Sequence, residues 1–490
     1  MRWWGWLLLT IGLLVCAAAG TWFTWGYVGQ RRLDALIAEI RSRGEPVEWK
    51  DFAEAPGPAE QDALPLYWEA HDKFLVPKGP GTSYDVGTLE DMLRDLTANE
   101  AYRKQHRGEV GVILELSRDS LALATQAAAR TGANYNIDFR RPAIQAELPV
   151  LARVLTFADA IVLAALEAHD AGQDAQALRH LQVLFAMSRT LGRHPMLIVQ
   201  FVSVACAKRA AMGIEQIEST LQVGPEPAAT SAQVRALIDE FLDTDPARRG
   251  WVRAMMAERS FAYDTIERVR RGEFSLQDIR SSDFAVPRNE RPGWAKVLWP
   301  LLTWDELTCL QVETSMVECA RQTDYPAARR ALGDGPDSYQ SLRLRSTQPG
   351  FAIWHPFTGI LIPTSCEAVP FHHLALRRMA ATALAMRSYN VEKGRPVAAL
   401  ADLVTAGFLK ELPADPFSDK GEPIRYKADP EQPLLYSVGK DGRDDGGTFK
   451  LDADGGVDKD SPDIVFFLKG DRPARKPTWE PPTPTTREGK

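Results

Sequence analysis

From Trp3 to Gln30 the chain carries no charged side chain. That run of 28 residues exceeds the ~20 needed to cross the hydrocarbon core of a bilayer as a helix. Trp3, Trp4 and Trp6 lie at one end and Trp22, Trp25 and Tyr27 at the other. They stand about 19 residues, roughly 28 Å, apart, as two interfacial aromatic belts would. A cleaved signal peptide is the alternative, because Leu7–Val15 forms a short apolar core and Ala17 to Ala19 supply an Ala-x-Ala site. The apolar run continues past that site, so residues 1–30 are expected to be a transmembrane anchor in contact with lipid. Val15 directly before Cys16 is a poor lipoprotein signal.

The remaining 460 or so residues are enough for about three domain-sized blocks. With 45% hydrophobic and 25% charged residues the chain as a whole reads as globular, which excludes wholesale disorder and collagen-like repeats. Lys and Arg number 58 against 65 Asp and Glu, a net charge of -7, so no overall basic field exists to hold nucleic acid. Five Cys cannot form a disulfide scaffold; Cys206, Cys309, Cys319 and Cys366 could oxidise outside the cytoplasm, but no pairing is evident.

Residues 31–365 are expected to be an α-helical domain. Between Leu151 and His169 apolar residues recur in steps of three and one, one buried helical face. Gly172 can close that helix, Asp174 can cap the next, and Pro195 suits the first turn of a third. The three form a helical bundle or a degenerate helical-hairpin array. Further helices are expected over 86–130 (two), 232–244, 250–271, 302–322 and 370–393, with an extended piece at Asn134–Phe139. Loops rich in Pro and charge are expected at 280–297 and 331–350.

No nucleophile elbow, His-Glu-x-x-His, Walker A loop, Gly-x-Gly-x-x-Gly or Cys-x-x-Cys occurs. His169 and His180 fall on different helices near a turn and read as capping or solvated groups. Glu258 and Asp264 read as a solvated helix face rather than an acid–base pair. His372 and His373, adjacent in sequence, point in different directions and read as polar side chains facing solvent.

After the helix ending near Glu392 the pattern changes to turns and short strands at 424–426, 434–438 and 463–468, an α+β unit over 366–468. Between its last strands, Asp441 to Asp463 hold eight Asp against Arg443, Lys450 and Lys459. Such crowding suits calcium, which takes six to eight oxygens, although Val457 stands where an EF-hand needs Gly. The loop is otherwise an acidic excursion that needs no metal.

The order Gly394-Arg395-Pro396, Phe408 to Pro416, Tyr426, Leu435 to Gly442 and Asp463-Ile464 resembles the globular domain of the major pseudopilin of bacterial type II secretion. The resemblance covers about a fifth of the chain. It implies a calcium ion held by the Val438 carbonyl, Asp441 and Asp463. Pro462 takes the place of one acidic residue of that family, and Asp445 or Asp460 would substitute. The anchor lacks the family's early Glu and lies some 340 residues upstream, so pilus assembly is not expected. The whole layout is similar to a group of uncharacterised bacterial membrane-anchored proteins.

Counting Arg31, Arg32, Arg41 and Arg43 against Arg2 would keep the body in the cytoplasm. The signal-like start and the pseudopilin resemblance favour a body on the periplasmic side of the cytoplasmic membrane. Residues 469–490, with five Pro, are expected to be a disordered tail. Two functions are expected: a non-enzymatic envelope scaffold that binds an unknown protein partner, or an envelope hydrolase with a site between the helical and C-terminal units. The hydrolase would need His355, His372 or His373 beside an Asp, Glu or Ser in a deep pocket.

Overall fold

The computed structural model describes residues 2–75, 86–146, 151–273, 298–336, 338–346, 348, 350–351, 355–361 and 366–479. The chain is mainly helical. In order come α1 (Arg2–Ser42), α2 (Leu64–Leu75), α3 (Val86–Ala98), α4 (Glu100–Gln105), α5 (Arg107–Ala128), α6 (Leu151–Asp170), α7 (Asp174–Leu191) and α8 (Leu197–Ile217). Then follow α9 (Ser231–Leu242), α10 (Asp245–Arg271), α11 (Trp299–Arg321), α12 (Tyr325–Leu332), α13 (Tyr339–Ser346), α14 (Thr358–Leu361), α15 (Val369–Lys393) and α16 (Ala401–Thr405).

The first half of α1 has an apolar window with none of it buried in the protein. Its second half docks: Leu33, Ile37 and Ile40 bury against Leu307 and Leu310 of α11. The turn after α1 is clamped by Glu45, whose carboxylate accepts from Arg259 and Arg321, each at 2.7 Å. Burial works against the charge on Glu45, but the two guanidiniums hold its carboxyl below the usual value. α8 is also long and apolar enough to cross a membrane, yet most of its apolar window is buried in the protein core.

The periodicity over 151–217 is realised as α6, α7 and α8, and α9, α10, α11 and α15 match the expected helices. The stretch 86–130 breaks into three helices rather than two, because Asn99 caps α4 by accepting from the Tyr102 amide. Asn134–Phe139 joins no strand. The loop expected at 331–350 contains α13, held by buried Tyr339 and Leu342. The loop expected at 280–297 lies outside the described residues.

The C-terminal sheet has the order β1 (Arg425–Lys427), β2 (Leu434–Ser437), β3 (Ile464–Phe467), all antiparallel, with Tyr436 opposite Val465. Asp415 fastens the turn before it. One carboxylate oxygen accepts from the Ser437 hydroxyl at 2.6 Å and the other from the Val438 amide at 2.9 Å. The core runs without interruption across residue 365: Phe408, Phe417, Leu435 and Phe466 belong to the same buried cluster as Leu181, Ile214 and Met379.

The expectation of disorder from 469 onward does not hold for 469–479. The Thr478 and Trp479 amides donate to Asp95, at 2.6 and 2.8 Å, and Trp479 is buried beside Tyr102 and His106. One large aromatic and two buried carboxylates, Asp95 and Glu215, outweigh a composition that argues for a free tail. Residues 480–490 lie outside the described residues.

Candidate functional site

Among the described residues, no group of three or more His, Cys, Asp or Glu side chains converges to hold a metal ion. Gly439 is pressed so close to Pro462 that a Cβ would lie 2.3 Å from the Pro462 carbonyl oxygen, which sets Val438 beside Asp463. Asp463 is 1% exposed; its Oδ2 accepts from the Gly447 and Thr448 amides, and its Oδ1 has no partner. Burial raises its carboxyl, and the nearby Asp445 charge adds to the effect. Asp441 and Asp460 are exposed, and the Asp441 carboxylate accepts from the Arg443 amide at 3.1 Å.

The histidines do not form a site together. His169 bonds Asp174 at 2.5 Å and Thr220 at 2.9 Å, tying the α6–α7 turn to the end of α8. His180 stands apart, and burial pushes it down to about 4. His355 meets Asp305 at 3.3 Å, but that carboxylate is already held by the Phe357 amide at 2.6 Å and the Thr358 hydroxyl. The surface reading fails for His373, which is 5% exposed with an unpartnered Nδ1; burial drives its ring well below the usual value.

Glu258 and Asp264 do not pair. Asp264 accepts from the Ala143 amide and from Arg268, whereas Glu258 turns inward to accept from the Leu197 amide at 3.1 Å. Burial pushes Glu258 up to about 7. Its neighbour in the interior is Glu313 of α11, buried with both oxygens unpartnered and raised well above the usual carboxyl value by burial and then by Glu258. All five cysteines are free, and Cys206, Cys309, Cys319 and Cys366 are buried.

A cleft of about 490 Å³ lies where α5, α7, α9 and α10 meet. Gly250 makes it possible. A Cβ there would sit 2.5 Å from the Gly192 carbonyl oxygen, so only glycine lets α10 approach the α7–α8 turn this closely. The approach gathers Arg130, Arg189, Arg193, Arg249, Arg253 and Arg377 against Glu54, Glu240 and Asp243.

Several of these guanidiniums are already engaged. Arg189 pairs with Glu240 and Arg253 with Glu54. Arg377, 6% exposed, donates to the carbonyls of Glu240, Phe241 and Asp243, capping the negative end of α9. Burial lowers its guanidinium to about 10, and neighbouring Arg189 contributes. Arg193 has no carboxylate partner among the described residues, and Arg249 reaches only Asp245, at 3.8 Å. The cleft therefore presents net positive charge on a protein whose overall charge is -7. Its residues, from Glu54 to Arg377, are spread over more than 320 positions with no spacing in common, which is why sequence reasoning missed it.

Comparisons with protein-family models, curated proteins and solved structures found no match to this chain.

Proposed function

We propose that the chain is a membrane-anchored, non-enzymatic protein of the cell envelope that binds a protein partner through the arginine-lined cleft. The supporting observation is the surplus of guanidinium groups there, six against three carboxylates, on a body docked against an exposed apolar helix. α1 crosses the cytoplasmic membrane once, with the body on the periplasmic side. The hydrolase reading requires an activated nucleophile. Ser203 and His373 border one hollow, but the Ser203 hydroxyl donates to the Ser188 carbonyl at 2.8 Å instead of to an imidazole.

The C-terminal unit acts in this reading as a pseudopilin-like module stabilised by calcium, held by the Val438 carbonyl, Asp441, Asp445, Asp460 and Asp463. The unpartnered, buried Oδ1 of Asp463 supports it, because an uncompensated carboxylate oxygen is costly without a cation.

The test of location uses Val391→Cys, at an exposed position on α15. A membrane-impermeant maleimide is expected to label it in intact spheroplasts, with the protein resistant to alkaline extraction from membranes. Labelling only after permeabilisation would place the body in the cytoplasm, and release by alkali would remove the anchor.

A further inference from the structure

We propose that the cleft captures an acidic peptide segment and that a chamber behind it receives one bulky apolar side chain of that segment. This rests on the partner-binding reading above and names the chemistry of the partner. The chamber, about 140 Å³, has Val204, Trp251, Phe371 and Leu374 among its apolar lining and Gln200, His373, Asp245, Arg248 and Arg378 among its polar lining. Ser188, Ser203, Ala247 and Arg377 line both the chamber and the cleft. The two hollows thus adjoin as one recess, with most of the guanidiniums in the cleft and the larger apolar side chains, Trp251 and Phe371 among them, in the chamber. A hollow of about 150 Å³ is the size that accepts a benzene ring.

The recess also continues along α10. A second hollow, about 660 Å³, shares Arg249 and Arg253 with the cleft and adds Arg248 and Arg321 against Glu45 and Asp51, four guanidiniums to two carboxylates. Side by side, at about 490 and 660 Å³, the two offer more room than one drug-sized ligand fills. A row of cations with a single apolar socket matches an extended acidic segment carrying one large apolar residue. The position is compatible with a soluble partner. The second hollow borders Gly44 and Glu45, just past the end of α1, about 20 Å along the helix from Gly29 at 1.5 Å per residue.

The test measures fluorescence anisotropy of labelled pentapeptides with the full chain in lipid nanodiscs. Glu-Glu-Phe-Glu-Glu is expected to bind at least tenfold more tightly than Glu-Glu-Gly-Glu-Glu, and Lys-Lys-Phe-Lys-Lys not at all. Arg193→Glu with Arg249→Glu should weaken both acidic peptides at least tenfold. Val204→Phe, which fills the chamber, should reduce the Phe peptide to the level of the Gly peptide and leave the latter unchanged; Leu374→Trp serves if that variant does not fold. Equal binding of the Phe and Gly peptides would overturn the chamber assignment and leave the cleft reading standing. Failure of both acidic peptides to bind at low salt would overturn both. Phenylacetate binding as tightly as the Phe peptide would make the recess a small-molecule site and overturn the peptide assignment.

Discussion

The indole of Trp304 stacks on that of Trp25, with 5.7 Å between ring centroids and 14° between planes, and its Nε1 donates to the Trp25 carbonyl at 3.0 Å. Gly29 makes room for this contact: a Cβ there would lie 2.8 Å from Trp304 Nε1, and one on Gly26 would lie 2.7 Å from the Trp299 ring. The apolar helix is therefore held on the body by close packing, not joined to it by a flexible link.

Gly29→Val is expected to push α1 off α11 and to cost about 1–3 kcal/mol, as overpacking does. The thermal midpoint in detergent should fall by several degrees. Gly12→Ala, at a position where a Cβ meets nothing within 4 Å, should leave it unchanged.

Gly250→Ala places a methyl against the Gly192 carbonyl, a backbone atom that cannot swing aside. A loss of about 1–3 kcal/mol is expected in denaturant unfolding. Because the same approach builds the cleft, acidic-peptide affinity should fall with it.

Arg472→Ala removes both hydrogen bonds that the guanidinium gives to Glu215, at 2.6 and 2.9 Å. Glu215 is fully buried on α8 and also accepts from the Phe467 amide of β3, at 2.7 Å. Leaving such a carboxylate unpaired costs about 3–5 kcal/mol. Adding Glu215→Gln should recover part of the loss in a double-mutant cycle.

Glu258, half-buried with its carboxylate turned inward onto the Leu197 amide, predicts a pH dependence of defined sign. Its carboxyl is raised in the folded protein from a usual value of 4.5 to about 7, so the folded chain holds that proton more tightly than the unfolded one. The stability it contributes is complete below about 4.5 and is lost as pH rises through about 7. Thermal midpoints of Glu258→Gln should exceed those of the parent at pH 7.5 and converge with them at pH 4.5.

Calcium in excess over chelator should raise the thermal midpoint of the full chain, since a ligand at 100 times its Kd adds about 2.7 kcal/mol. Asp463→Asn should abolish the rise. An unchanged parent midpoint would return the loop to a solvated excursion.

The helices over 151–217 were legible because their apolar residues recur at helical spacing and glycine marks the turns. The three strands were legible from short β-branched and aromatic runs between turn residues. The tail was not, because a composition poor in apolar residues hides the single indole of Trp479 and the buried Asp95 that receives its amide. His373 was misread because adjacent residues on a helix face different ways, and which of them faces inward depends on the neighbouring helices.

Local order along the chain determined the apolar N-terminal helix, the helical body and the small sheet, since each rests on the spacing of apolar residues within one segment. Only the tertiary structure decided what those elements present to one another. The Arg193–Arg249–Arg377 recess, the Glu215–Arg472 pair and the Trp25–Trp304 stack each join residues more than 50 positions apart. Charge and packing at such sites depend on which helices approach closely, here set by glycines at 26, 29 and 250 whose missing side chains carry no pattern of their own.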